Sequence, residues 1–165
     1  MAGRIFPTFL EYMLHKSEEN FGPFVATDCL IEYPGDNPLG LVLIERKDGP
    51  PGLAVPGGMG ERMTLAENAV KEAFEETGLE FKITDNPDKP FLVLSNPKQD
   101  KRAFIISVAY RGRGYGEIAP MKHEDAKSAR LYTFAELEGF VKVREAWAFQ
   151  HHRRMVAEYL EVRRR

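Results

Sequence analysis

Two apolar runs rich in β-branched residues stand out, Phe24–Tyr33 (FVATDCLIEY) and Leu39–Arg46 (LGLVLIER). The breaker cluster Pro34-Gly35-Asp36-Asn37-Pro38 lies between them, so they read as neighbouring strands joined by a longer hairpin loop. Asp48–Gly52 (DGPPG) breaks the chain again. Leu53-Ala54-Val55 then makes a short apolar return before Pro56-Gly57-Gly58.

A helix is predicted from about residue 65 to 77. Thr64 and Glu67 have capping-box spacing, and Gly78 stands where a left-handed residue closes a helix. Leu65, Ala69, Ala73 and Thr77 form one stripe at helical spacing, joined by Val70 and Phe74, and are expected to be the buried face. Strands are expected at 79–84, 90–95 and 102–110, followed by a loop rich in Gly and charge at 111–128. A short strand is expected at 130–133, and Thr133 with Glu136 repeats the capping-box spacing for a short helix. From about Arg144 to Val162 a helical pattern offers Trp147, Met155, Tyr159 and Leu160 for packing. Strands framing one helix, with another at the end, predict a layered α/β or α+β domain over residues 21–165. Residues 1–20 are expected to add a short helix or strand, with a partner subunit as its packing surface.

Composition narrows the function classes. The 165 residues suit one domain, and a formal net charge of −2 provides no general attraction for nucleic acid or an anionic membrane. No run of about eighteen apolar residues offers a membrane span, and MAGRIFPTFLEYML lacks the pattern of a secretion signal. Cys29 is the only cysteine and lies in an apolar run, as expected of a core thiol in a reducing cytoplasm.

The candidate chemistry lies in Lys71-Glu72-Ala73-Phe74-Glu75-Glu76-Thr77-Gly78-Leu79. At about 100° per residue, Glu72, Glu75 and Glu76 fall within roughly a third of the helix circumference. Such a stripe is either a solvated acidic face or a site where a hard cation offsets the repulsion; oxygen donors suit Mg²⁺ or Mn²⁺. Glu67 points away from Glu72 and is explained by capping alone. Pro56-Gly57-Gly58 directly upstream favours the cation, because paired glycines let the backbone approach a phosphate closely.

Residues 57–79, GGMGERMTLAENAVKEAFEETGL, resemble the Nudix box, G-x5-E-x7-R-E-U-x-E-E-x-G-U with U apolar. Glu72, Ala73, Glu75, Glu76, Gly78 and Leu79 stand at the required places. Met63 occupies the position of the first box glutamate and Lys71 that of the arginine, with Glu61 a possible substitute. Further segments, LSNPKQDKRAFIISVAY (94–110), Asp125–Arg130 with Tyr132 and Phe134, and Ala148–His152, are similar to the ADP-ribose pyrophosphatase-like branch. The resemblance implies an α/β/α sandwich with a mixed central sheet and hydrolysis of a nucleoside diphosphate linked to another group, ADP-ribose first and a nucleotide sugar second. It also implies Mg²⁺, with Mn²⁺ possible, held by Glu72, Glu75, Glu76 and the Gly57 carbonyl, and a homodimer.

Catalytic roles are expected of Glu75, Glu76 and Glu124, the last chosen over Glu117 and Asp125 in the same charged segment. Arg46, Gly58 and Arg102 are the expected substrate contacts; a guanidinium at a strand end can clamp a diphosphate bidentately. His123, His151 and His152 read as packing or surface residues, since adjacent helical histidines point to different faces. Two other readings stay open: a binding module that has lost catalysis, and a nucleoside triphosphate pyrophosphohydrolase.

Overall fold

The computed structural model describes residues 8–18, 22–47, 49–121 and 126–165. Its centre is a mixed sheet. β1 (Phe24–Tyr33) and β2 (Gly40–Arg46) form the expected antiparallel hairpin, with Ile31 opposite Val42. β3 (Gly52–Ala54) pairs with β2, and β4 (Gly57–Met59) pairs with β1. After the helix α2 (Leu65–Thr77) come β5 (Glu80–Ile83), β6 (Leu92–Leu94) and β7 (Ile105–Tyr115). β7 runs parallel to β1 and antiparallel to β5 and β6. β8 (Ala126–Thr133) closes the other side against β2. The remaining helices are α1 (Phe9–Glu18), α3 (Phe134–Phe140) and α4 (Gln150–Arg163).

Alternation along the strands builds two cores, one on each face of the sheet. Cys29 and Ile31 of β1, with Val42 of β2, pack on Ala69 and Ala73 of α2. Leu30, Leu41 and Leu43 point the other way, onto Leu137 of α3 and Met155, Val156 and Tyr159 of α4. The result is the α/β/α sandwich expected from the resemblance. Cys29 is a core thiol, its Sγ 3.1 Å from the Ala69 carbonyl.

Both capping boxes are present. Thr64 Oγ1 accepts from the Glu67 N–H and the Glu67 carboxylate accepts from the Thr64 N–H; Thr133 and Glu136 do the same for α3. Gly78 ends α2 at φ 76°.

Four expectations need correction. Val70 and Phe74 are not buried but 39% and 50% exposed. The sheet-facing stripe runs through Ala69 and Ala73, whose small side chains let α2 lie close to β1, and it leaves Val70 and Phe74 about 100–140° away. The segment 111–128 is strand at both ends: β7 continues to Tyr115, and β8 starts at Ala126 rather than 130. Gly112 and Gly114 read as loop signals, yet a Cβ at Gly112 would strike the Lys82 backbone and one at Gly114 would strike Ile31 and Leu79. They are places of close approach inside a sheet. The predicted helix from Arg144 is broken into one 3-10 turn (Arg144–Ala146) and α4. Between them Trp147 bridges Leu53, and the Ala148 N–H donates to the Leu53 carbonyl at 2.9 Å, so sheet pairing wins over helix there. Finally, Gly57 and Gly58 are not a bare loop: they form β4, opposite Asp28 and Thr27.

At the N-terminus α1 is a helix whose Met13 packs within its own chain, against Ala103 and Ile105.

Candidate active site

The angular positions of the α2 carboxylates set their depth. Glu76 lies about 20° from the line of Ala69, Glu72 about 60° and Glu75 about 120°, all on the side away from Val70. Burial follows that order, with side-chain exposures of 15% for Glu72 and 29% for Glu75. Glu76 reaches under β4, where its Oε2 accepts the Gly57 N–H at 2.8 Å. Gly58 lies directly against the Glu72 carboxylate, in space that any Cβ would fill. Gly58 is thus required by the Glu72 carboxylate beneath it, and Gly57 by the Thr27 carbonyl of the paired β1.

Burial pushes the Glu76 carboxyl up to about 8; the Gly57 hydrogen bond and Arg46 oppose this, while Glu72 and Asp28 add to it. Burial also raises Glu72, with Lys71 opposing and Glu75 reinforcing. Lys71 Nζ stands 2.9 Å from Glu61, 3.0 Å from Glu75 and 3.6 Å from Glu72. Its hydrogen bond to Glu61 is the largest reason that its own pKa rises. Glu61 therefore meets Lys71, while Met63 is partly exposed.

As placed, no three His, Cys, Asp or Glu side chains among the described residues are gathered closely enough to hold one ion. Lys71 occupies Glu75, and the Gly57 N–H occupies Glu76. The donor chemistry nevertheless fits a hard divalent cation. Two desolvated carboxylates, Glu72 and Glu76, repel each other in one cleft, and an oxygen-seeking cation is what lowers that cost.

That cleft, about 660 Å³, brings together Arg46, Gly57, Gly58, Glu72, Glu75, Glu76 and Arg102. The Arg46 Nε is buried and has no hydrogen-bond partner among the described residues. Arg102 is held by Asp100 through Nε at 3.1 Å and Nη2 at 2.8 Å. Burial works against the Asp100 charge, but these bonds and the Arg102 N–H overcome it and keep that carboxyl below the usual range. Glu117 is exposed. Glu124, His123 and Asp125 lie outside the described residues.

The helix N-terminus is not an anion site, because Thr64 and Glu67 already cap it.

Sequence reasoning missed one wall of the cleft, made by Phe149, His151 and His152, and the Asp28 carboxylate that holds His152 without lining the cleft itself. Asp28 is buried, with Oδ2 bonded to the Ser107 hydroxyl and Oδ1 3.2 Å from His152 Nε2. His152 Nδ1 accepts the Val55 N–H at 3.0 Å, so the ring presents its Nε2 proton to Asp28. Burial opposes the Asp28 charge, yet His152 and Ser107 hold its carboxyl below the ordinary value. His151, read as a packing residue, is buried but also lines the cleft, its Nδ1 3.3 Å from the Gln99 carbonyl. Phe149 sits beneath both arginines, 5.5 Å from Arg46 and 4.6 Å from Arg102. An Asp inside an apolar central strand was the available signal, since a buried charge demands a partner.

The profile of the NUDIX domain matches residues 22–159. A NUDIX hydrolase from Nitrosomonas europaea is similar at 20% identity and TM-score 0.68, covering 87% of this chain and 73% of that one. A bifunctional NMN adenylyltransferase/ADP-ribose pyrophosphatase from Francisella tularensis, in complex with AMP and a Mn ion, is 20% identical at TM-score 0.63. The match takes in 85% of this chain and 42% of that one, so this chain spans less than half of the bifunctional protein. The NUDIX domain of Shewanella oneidensis NrtR, complexed with ADP ribose, is 16% identical at TM-score 0.61, covering 80% and 87%. Among curated proteins none matches the sequence. A profile spanning most of the chain, on this fold and acidic helix, identifies a member of the Nudix family of the hydrolase class. Among the described residues no helix is long and apolar enough to cross a membrane.

Proposed function

We propose that the protein hydrolyses the diphosphate bridge of a nucleoside diphosphate linked to a second group, with ADP-ribose the leading substrate and a nucleotide sugar the next. One observation carries the reading: the half-buried carboxylates Glu72 and Glu76 share a cleft with Arg46 and Arg102, so metal-ligating oxygens and phosphate-binding guanidiniums line one cavity. The names of the Francisella and Shewanella relatives, which include ADP-ribose pyrophosphatase and bound ADP ribose, support the substrate class.

Glu72, Glu75, Glu76 and the Gly57 carbonyl are the groups that would hold Mg²⁺, or Mn²⁺ as in the Francisella complex. When bound, the ion supplies charge neutralisation at the bridging phosphates and a more acidic water. Arg46 and Arg102 fix the diphosphate, Arg102 already oriented by Asp100. Gly58, the further substrate contact, lets the Glu72 carboxylate lie against the β4 backbone. A water oxygen bonds to one phosphorus as the bridging P–O bond breaks; the leaving phosphate keeps the bridge oxygen. The water proton passes to a carboxylate, Glu124 or one of the α2 glutamates. ADP-ribose gives AMP and ribose 5-phosphate.

We further propose a homodimer, with the segment 1–20 contributing contacts, in the cytoplasm. A sedimentation measurement giving a monomer removes the dimer.

A second reading has its own support. Met63 and Lys71 depart from the box. A domain that binds ADP-ribose without cleaving it would show this pattern. A phosphatase-coupled phosphate-release panel of ADP-ribose, sugar nucleotides, dinucleotides and nucleoside triphosphates, with Mg²⁺ or Mn²⁺, decides. Turnover of diphosphate-linked substrates supports the hydrolase; tight ADP-ribose binding without product selects the binding module.

A further inference from the structure

A second hollow, about 830 Å³, adjoins the carboxylate cleft. Arg46, Met59, Asp100, Arg102 and Phe149 line both cavities. No residue of α2 reaches the second one, so it has none of the metal-ligating acids. Its own walls include Leu10 and Met13 of α1, Pro50, Trp147 and Gln150.

We infer that this second hollow receives the nucleobase of the substrate, with the diphosphate at the shared arginines and the scissile bridge turned toward Glu72 and Glu76. The direction of the substrate rests on the diphosphatase reading; the base site itself does not.

Three features argue for a base at this position. The two cavities differ in chemistry: the first holds the α2 carboxylates, whereas the second sets Leu10, Met13, Pro50 and Trp147 beside the polar Lys101, Arg144, Glu145 and Gln150. A planar base gains from stacking on aromatic and guanidinium faces, whereas a sugar needs hydrogen-bonding partners. A volume of this size is ordinary for a small-molecule pocket.

The junction is built for an anion. The buried Arg46 Nε lacks an acceptor among the described residues, and an unsatisfied buried donor is costly unless something completes it. Arg102 is pre-oriented by its two bonds to Asp100. Both guanidiniums stand over the single ring of Phe149, and all three side chains line both cavities. Phosphate oxygens at this point tie a base on one side to a bridge on the other.

The wall supplied by α1 matters most for specificity. Leu10 and Met13 precede residue 22, where the family match begins. Base preference is thereby assigned to a segment outside the matched domain.

Trp147 is the only tryptophan and lines the hollow, so it reports on occupancy without catalysis. ADP titrated without added metal, with Trp147 excited selectively, is expected to change its emission saturably; ribose 5-phosphate is expected to leave it unchanged. Leu10→Asp, an exposed helical position, is expected to raise the Kd for ADP about tenfold by setting a carboxylate beside the base and the phosphates. Val93→Asp, an exposed apolar position that lines neither cavity, is expected to hold that Kd within about twofold. An equal response to ribose 5-phosphate, or unaltered ADP binding in Leu10→Asp, overturns the base site. If the substrate panel shows no hydrolysis while ADP still acts through Trp147, the base site stands and the diphosphatase reading falls. Hydrolysis of ADP-ribose with no base-dependent response at Trp147 gives the reverse.

Discussion

Lys71 Nζ lies 2.9 Å from Glu61 Oε1, and this pair holds an ammonium at the edge of the acidic stripe. The same Nζ touches Glu75 at 3.0 Å, so Glu61 competes with Glu75 for it. Removing the Glu61 charge leaves the ammonium to Glu75 and Glu72 alone, where it opposes a divalent cation. Glu61→Gln is expected to weaken Mn²⁺ binding about three- to tenfold, a loss on the scale of one charged contact in a partly exposed site. Paramagnetic resonance of free Mn²⁺ measures it directly. Adding Met63→Glu, which restores an acid at the box position, is expected to recover most of the loss. Wild-type Mn²⁺ affinity in Glu61→Gln would remove the role given to this pair.

Glu76 is half-buried and its carboxyl is raised from 4.5 to about 8, so stability is lost as pH rises from the lower value to the higher. Glu76→Gln keeps an acceptor for the Gly57 N–H and removes the group whose ionisation burial opposes. Turnover is expected to fall about 10²–10⁴-fold, while the thermal midpoint rises by a few degrees, on the order of 1 kcal/mol. Calorimetry and the coupled phosphate assay on one preparation check both. Unchanged turnover would take Glu76 out of the mechanism.

The depth of these carboxylates explains what the sequence disclosed and what it withheld. Helical spacing alone ranked Glu72, Glu75 and Glu76 on one side of α2, and local capping chemistry at Thr64 and Gly78 fixed the helix ends. Those are short-range signals. Val70 and Phe74 were misplaced because apolarity cannot say which of two adjacent stripes the sheet covers; the small Ala69 and Ala73 decide it. Gly112 and Gly114 carry the same letters as a loop but stand where β1 and β5 press on β7, a fact of tertiary contact. The Asp28–His152 pair spans most of the chain, and no local pattern joins its members. Arg46 and Arg102 were identifiable as guanidiniums near strand ends, but their shared seat over Phe149 depends on the break between Ala146 and Gln150, where pairing with Leu53 interrupts a helical pattern.

Burial, with His152 adding to it, holds His151 at a pKa of about 4, although Asp28, Asp100 and the Gln99 carbonyl pull the other way. An unfolded histidine titrates near 6.5, so between those values the unfolded chain binds the proton more readily. Stability is full above about pH 6.5 and is lost as pH falls toward 4, by an amount on the order of 3 kcal/mol. Below 4 this group adds no further loss. Urea midpoints measured from pH 7 to 4 are expected to fall less steeply in His151→Gln than in the wild type. Parallel curves for the two proteins would show that His151 does not set this slope.

Arg102 meets Asp100 with two parallel N–H bonds, a geometry that lysine cannot reproduce. Arg102→Lys keeps the charge but loses the fork that fixes its direction over Phe149. If Arg102 binds the diphosphate equally in the ground state and the transition state, KM rises about tenfold while kcat changes less than about threefold. Asp100→Asn is expected to move the same parameter in the same direction by a smaller factor, because it loosens Arg102 without removing it. Arg102→Lys combined with Asp100→Asn is expected to cost little more than Arg102→Lys alone, since both act through one guanidinium. Steady-state kinetics with ADP-ribose separate the cases. Equal falls in kcat and kcat/KM would instead assign Arg102 to charge that develops only as the bridge breaks.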